Sequence, residues 1–322
     1  MKENRLRKLF QNRNFKLLFF GEAVSNIGDQ FTLIGLAWLM ATLTGSAAAV
    51  GITLALSGFP RAILMLISGS AIDRFSPRKI MLISNGTRFF VVLLLAILIL
   101  TGSIQIWMIY TIALLFGIFD AFFIPARSSL VPHIVPEEIL GIGNSLIQGL
   151  TQLSQFIGPV LAGALIGYIQ AKTHSYHGIG VVMVIDALTF IVSLMTLRLV
   201  QDRKFTEPSK ERLLDMIKSG FSSVWKHVGL RYILISATLV NFFFIGPFLV
   251  GMPLIAKDQL AGAYSYGFIM SSWGIGALVG YALAGFVFSP KRRPSVYLLS
   301  IAGFMGLFFS LFAYAHSTLQ FV

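Results

Sequence analysis

The chain contains no cysteine, which excludes a disulfide framework and any thiolate-ligated metal site. Charge is also scarce: 12% of residues are charged, where a soluble domain carries about a quarter. With 56% hydrophobic residues and a mean hydropathy of +0.81, a chain of 322 residues cannot assemble the polar exterior that a globule in water needs. Lipid is the expected solvent. Histidine is sparse and badly placed for metal: His133, His174, His177, His227 and His316 fall in loops or at the ends of apolar runs, without ligand spacing. There is no phosphate-binding glycine loop, nucleophile elbow or metalloprotease pair, so neither an enzyme, a metal site nor a cofactor is expected.

What the chain does have is long apolar runs. Nine segments, near 16–42, 47–72, 80–101, 106–127, 141–169, 178–198, 230–256, 263–288 and 295–316, reach the roughly 20 residues that a helix needs to cross a bilayer. Barrel strands would be about 10 residues long with alternating polarity, a pattern these runs lack. The expected class is an all-α integral membrane protein. The first run is too long for a signal-peptide core and holds Glu22 and Asp29, so it reads as an uncleaved span despite the small residues Ser46 to Ala49.

The formal net charge of +12 would suit nucleic acid, but its distribution argues otherwise. With the N-terminus placed in the cytoplasm, the inner segments hold the cations around Lys2–Lys16, Arg74–Lys79, Arg127, Arg198–Arg231 and Lys291–Arg293. The outer loops hold only Lys172 and Lys257. That is the positive-inside pattern, with anionic lipid as the partner of the basic face and no nucleic acid. The long connection at 199–229 carries Leu213, Leu214, Ile217, Phe221, Val224 and Trp225 at helical spacing among basic residues. It reads either as a helix on the inner membrane surface or as a solvated linker. Residues 4–12 look like a smaller version.

Sliding the sequence by 216 residues lays the second span on the eighth, with Gly51 on Gly267, Gly58 on Gly274 and Gly69 on Gly285. A duplicated six-span unit is the expected organisation. It gives an N-terminal bundle over 1–198, a cytoplasmic linker over 199–229, and the first three helices of a second bundle over 230–322. By the same arithmetic a tenth span would begin near Phe321, which suggests three further spans in a complete repeat.

Ionisable groups at membrane depth are costly, at least about 2.5–3.5 kcal/mol each on the insertion scale, so each one needs a reason. On the first span Glu22, Ser25, Asn26 and Asp29 form a polar stripe at i, i+3, i+4 and i+7. The fifth span repeats the stripe without charge, through Asn144, Gln148, Thr151, Gln152 and Gln155. Two such helices imply either a shared aqueous cavity or a hydrogen-bonded dry interface. Asp29 and Arg61 fall at similar depths, about 20 and about 18 Å from the inner surface, and are expected to face each other. Glu22 has no obvious cation and is the candidate for reversible protonation. Asp186 is placed on the outer part of the sixth span as a further cavity acid. Asp120 and Arg127, seven residues apart on the fourth span, are expected to form a gating or bracing pair.

The inner loop after the second span reads Gly69-Ser-Ala-Ile-Asp73-Arg74-Phe-Ser-Pro-Arg78-Lys79. It resembles the signature loop of the major facilitator superfamily, with Ser76 where a glycine is usual. The fifth span holds Gly158-Pro159 and Gly163, similar to the antiporter motif of that superfamily's exporters. The stretches Pro125-Ala126-Arg127 to Glu137 and Asp186 to Ser193 resemble macrolide-efflux-like members. The resemblance implies a major facilitator fold in a bacterial cell membrane and proton-driven efflux of small amphipathic molecules by alternating access, without a cofactor and as a monomer. It also implies that the loop Gly69, Asp73, Arg74, Arg78 and Lys79 controls inner closure, with Asp120 pairing with its arginines. A siderophore or lysophospholipid exporter, or a non-transporting scaffold, are the alternative expectations.

Overall fold

A computed structural model of the chain describes residues 2–74, 76–173, 176–201, 222, 225–287, 306–307 and 317–321. Most of the linker, including its expected surface helix, and most of the expected ninth span lie outside the described residues. Within them the fold is all-α. A short helix α1 (Lys2–Gln11) precedes the first span α2 (Arg13–Thr44), followed by α3 (Ala47–Arg74), α4 (Pro77–Leu100), α5 (Ile106–Ile134), α6 (Glu137–Thr173) and α7 (His177–Leu199). The seventh span is α8 (Val228–Val240), a π turn (Asn241–Ile245) and α9 (Gly246–Gln259), and the eighth is α10 (Ala263–Val287). Seven of these spans, α2 to α7 and Val228–Gln259, are long and apolar enough to cross a membrane.

Local chemistry sets the ends. Asn12 caps α2 by accepting from the N–H groups of Asn14 and Phe15 at 3.0 and 3.2 Å. Gly45 closes it in the left-handed region at φ 60°, its N–H on Ala41 O at 2.9 Å. Ser76, the residue that departs from the family loop, caps α4 from its side chain, with Pro77 in the first turn.

The first six spans pack α3 on α5, α4 on α5 and α7, and α2 on α6 and α7. Their apolar side chains form two clusters. One, near the amino-terminal end, joins Leu9, Phe15, Leu18, Met81, Phe123, Leu130 and Leu197. The other, towards the far end, joins Ile34, Trp38, Met40, Val92, Leu95, Ile109, Met183 and Phe190, and extends to Phe248, Met252 and Tyr266 of the seventh and eighth spans. Large apolar side chains such as Phe20, Phe59, Ile83 and Phe90 point outward, more than half exposed, as lipid-facing positions should.

Between the two clusters the chain changes character. Glu22 lies between Leu18 and Phe31, Arg88 between Met81 and Val91, and Asp120 between Ala113 and Phe123. An ionic layer is therefore sandwiched between two apolar ones, held in place by helices that the apolar clusters lock on either side.

Candidate functional site

Arg88, on α4, is the centre of that layer and is wholly buried. Its Nη1 donates to Asp29 Oδ1 of α2 and to Asp120 Oδ1 of α5, both at 3.0 Å. Its Nη2 donates to Asn85 Oδ1, and Asn85 in turn donates to Ser193 Oγ of α7 at 2.8 Å. The guanidinium lies over the rings of Phe123 and Phe190, 4.5 and 4.7 Å from their centroids. Asp120 passes the charge outward, since its Oδ2 accepts from Arg61 Nη1 at 3.1 Å and Arg61 is half exposed. The result is an alternating chain, Asp29–Arg88–Asp120–Arg61, running across four helices. Such a chain neutralises each charge locally, which is what makes four ionised groups tolerable at this depth.

Three sequence expectations are corrected by this geometry. Asp29 and Arg61 do not face each other; Arg88 stands between them. Asp120 does not pair with Arg127, which is taken by Glu22; of the loop arginines it was expected to meet, Arg78 binds main-chain carbonyls of the sixth span, and the side chain of Arg74 lies outside the described residues. Glu22 is not without a cation: its Oε2 accepts from Arg127 Nη1 at 2.9 Å and from Asn26 Nδ2 at 3.3 Å. The spacing argument missed these partners because a helix face is shared by four neighbours, and sequence separation does not say which neighbour is opposite. Arg88 is absent from the polar stripes, although it is the one charged residue inside the apolar run 80–101 and so carries the signal that flags every intramembrane ion.

The first-span stripe is divided. Glu22 and Ser25 are each 1% exposed, and Glu22 Oε1 and Ser25 Oγ make no hydrogen bond. Asn26 and Asp29 are partly open. Arg127 also faces a recess of about 300 Å³ lined with Ser128, Val131, Asn144, Ile147 and Gln148. That recess joins the amide stripe of the fifth span to the acid of the first through the Glu22–Arg127 pair. Farther along α6, Gln155 is exposed and Gln152 holds an unpartnered, buried Oε1.

Asp186 is elsewhere. It is fully buried between α2 and α7, accepting from Thr32 Oγ1, with Thr189 Oγ1 at 3.2 Å from its other oxygen. It is thus packed between two helices and not among the residues lining the recess beside Arg127, whereas the sequence groups it with the cavity acids.

The antiporter-like motif lies where the fifth span meets the first and the eighth. A Cβ on Gly158 would approach Gln30 Cβ of α2 to 2.5 Å, and one on Gly163 would approach Gly267 Cα of α10 to 2.7 Å. Farther along, Gly274 sits against the backbone of Gln155 and Phe156. Pro159 is buried, with its carbonyl against Gly267. Small residues here permit backbone-to-backbone contact between the fifth and eighth spans. At the far end the seal continues through stacked Trp38 and Tyr266 and through Lys257 Nζ, which donates to Ala41 O at 3.0 Å.

In the inner loop, Arg78 donates from Nε to Leu197 O at 2.8 Å and from Nη2 to Arg198 O, so it closes the last turn of the sixth span. Lys79 is exposed. Gly69, Asp73 and Arg74 fall in the last turns of α3, and the side chains of Asp73 and Arg74 lie outside the described residues.

Comparison with known proteins places this architecture. An uncharacterized MFS-type transporter, YvqJ of Bacillus subtilis (strain 168), is 24% identical over 297 residues, which cover 86% of this chain and 70% of its own. Macrolide efflux protein A of Streptococcus pyogenes is 25% identical over 300 residues, covering 91% and 71%. Among solved structures, a bacterial homolog to the human lysosomal transporter Spinster, crystallised inward-facing and unoccupied, matches with a TM-score of 0.62 at 15% identity over 87% of this chain. The chain spans about 70% of the length of those curated relatives and 63% of that solved chain. The family model of the Major Facilitator Superfamily matches residues 18–322, and the chain belongs to that superfamily.

Proposed function

We propose that this protein is a secondary active exporter of small amphipathic molecules, of the drug or macrolide type, driven by the proton gradient and working by alternating access. The observation that carries the reading is the asymmetry of the ionic layer. At one end the first, fifth, seventh and eighth spans are sealed by Trp38–Tyr266, Lys257–Ala41 and the Gly163–Gly267 contact. At the other, the Glu22–Arg127 pair backs onto a recess with amide-bearing walls. A passage closed at one end, with paired charges at its base, is what a rocking mechanism needs in one of its two states.

In this reading the recess faces the cytoplasm and the seal faces outward across a bacterial cell membrane, an orientation that the positive-inside pattern supports. In the cycle, protonation of Asp29 or Glu22 removes one partner of an arginine pair, and the freed guanidinium rearranges the helices on which it sits. Asp29 is the acid with access to solvent, its side chain 23% exposed, and so takes up the proton first. Recognition of a macrolide efflux protein at 25% identity favours an apolar, bulky cargo. The expected partners are that cargo and membrane lipid, with the monomer as the working unit.

The test is flux of ethidium and of erythromycin in proteoliposomes under an imposed pH gradient. The wild-type protein is expected to move at least one of them against its gradient, and Glu22→Gln with Asp29→Asn is expected to abolish that coupling. Unchanged coupled flux in the double variant would remove both acids from the proton path.

A further inference from the structure

The intramembrane charges of the first six spans do not balance. Away from the span ends they comprise four acids, Glu22, Asp29, Asp120 and Asp186, and three arginines, Arg61, Arg88 and Arg127. The structure assigns every arginine: Arg127 to Glu22, Arg88 to Asp29 and Asp120, and Arg61 to Asp120. Asp186 has no ion pair among the described residues. An ionised carboxylate sealed in apolar surroundings without a cation is among the costliest arrangements a membrane interior can hold.

Hydrogen counting on its neighbours points the same way. Thr189 has one hydroxyl hydrogen, and its Oγ1 lies 2.7 Å from the Asp186 main-chain carbonyl and 3.2 Å from the Asp186 Oδ1. When that hydrogen goes to the nearer carbonyl, the second contact has no hydrogen unless the carboxyl supplies it. The other oxygen, Oδ2, accepts from Thr32 Oγ1. A carboxylic acid that accepts at Oδ2 and donates from Oδ1 satisfies both Thr189 contacts, where a carboxylate would have the single Thr189 hydrogen shared between two acceptors.

The site is also closed to water. A Cβ on Gly28 would lie 2.2 Å from both Asp186 Oδ1 and Thr189 Oγ1, so the backbone of the first span presses directly on the acid. From the elements packed around it, the charged groups that act on Asp186 are Asp29 of the first span and Arg88 of the third. Arg88 is already shared between two carboxylates. Glu22, farther along the first span, is taken by Arg127, and the fifth span carries no ionisable group between its ends.

We infer that Asp186 holds a resident proton between the first and sixth spans, and that this proton makes the intramembrane charge of the bundle zero. Its part in transport rests on the proton-coupled reading above. When the two spans separate in the cycle, the Thr32 and Gly28 contacts are lost, and Asp186 can pass the proton towards Asp29, one helix turn from Thr32 on the same span. The resident proton itself requires no transport and can be read separately.

The experiment is infrared spectroscopy of the full chain in lipid nanodiscs near neutral pH, comparing wild type with Asp186→Asn and Asp29→Asn. The wild type is expected to show the C=O stretch of an un-ionised carboxylic acid, slow to shift in heavy water. Asp186→Asn should remove it with an unchanged thermal midpoint, since a neutral group replaces a neutral group, and Asp29→Asn should leave it in place. No such band, or a band that survives Asp186→Asn, overturns the assignment. In proteoliposomes, Asp186→Asn should lose gradient-driven ethidium flux while keeping ethidium exchange. Retained coupling with the band gone would overturn the role in the cycle. A wild type that shows the band but no gradient-driven flux would count against proton-coupled export, and the resident proton would stand.

Discussion

The 216-residue shift that lays the second span on the eighth also lays the first on the seventh, and the two differ in opposite directions. Shifted by 216 residues, Glu22, Ser25, Asn26 and Asp29 fall on Thr238, Asn241, Phe242 and Ile245, so both acids have been replaced by groups without charge. The surroundings have diverged with them. The first span is pressed between the fifth and sixth, and most of its far half is buried. On the seventh, Phe242 and Phe243 are 72% and 59% exposed. The π turn at Asn241–Ile245 includes the position that falls on Asp29, and Asn241 Nδ2 donates back to Ala237 O at 2.9 Å. The first span carries charge and tight packing; the seventh carries aromatic residues and an interrupted helix. Of the two, the first has the fixed charge pairs and the second the locally distorted helix.

The sharpest way to break the comparison is to remove the charge centre. Arg88→Met leaves Asp29 without a cation and Asp120 with only the half-exposed Arg61, both at membrane depth. A loss of about 3–5 kcal/mol is expected, because removing one partner strands the others. Thermal unfolding in detergent should show the full loss in Arg88→Met and partial recovery when Asp29→Asn is added. An unshifted midpoint in the single variant would mean that the chain of pairs adds nothing to packing.

A smaller effect is expected at the contact between the first and sixth spans. Gly21, Gly28 and Gly35 are seven apart, and a Cβ on any of them would meet a sixth-span side chain at 2.0–2.2 Å. Gly28→Ala forces Asp186 and Thr189 away from the first span and should cost about 1–3 kcal/mol, as overpacking does. Its midpoint should fall further than that of Gly149→Ala on the fifth span, where no described atom lies within 4 Å. Equal shifts would deny the seam.

How much of this was legible beforehand follows from the kind of interaction involved. Run length gave the spans: the first was read at 16–42 and is Arg13–Thr44, and the sixth at 178–198 and is His177–Leu199. That signal is a property of single residues summed along a helix and needs no partner. Glu22, Asp29, Asp120 and Arg61 were recognisable for the same reason, as polar groups in lipid. Their pairing was not, because Arg88 reaches Asp29 across 59 positions and Arg127 reaches Glu22 across 105. Which helix faces which is set by apolar clusters assembled from five or more elements. Even the seven-residue glycine spacing of the first span becomes meaningful only when the sixth span is known to lie against it.

The finest test of the divergence uses a single pair of counterparts. Gly35 on the first span and Gly251 on the seventh fall on each other under the same shift, yet a Cβ on Gly35 would lie 2.0 Å from Met183 Cε, whereas none of the described atoms of other elements comes within 4 Å of one on Gly251. The obstructing atom at Gly35 is the end of a flexible side chain, so Met183 can give way and Gly35→Ala should cost no more than about 1 kcal/mol. At Gly251 the only change is in the backbone, where alanine is the better helix former, and Gly251→Ala should gain about 0.4–1 kcal/mol. The two substitutions are chemically identical, so opposite signs in the thermal midpoint would measure the difference in packing between the two spans directly. Equal signs would mean that the seventh span is as tightly held as the first.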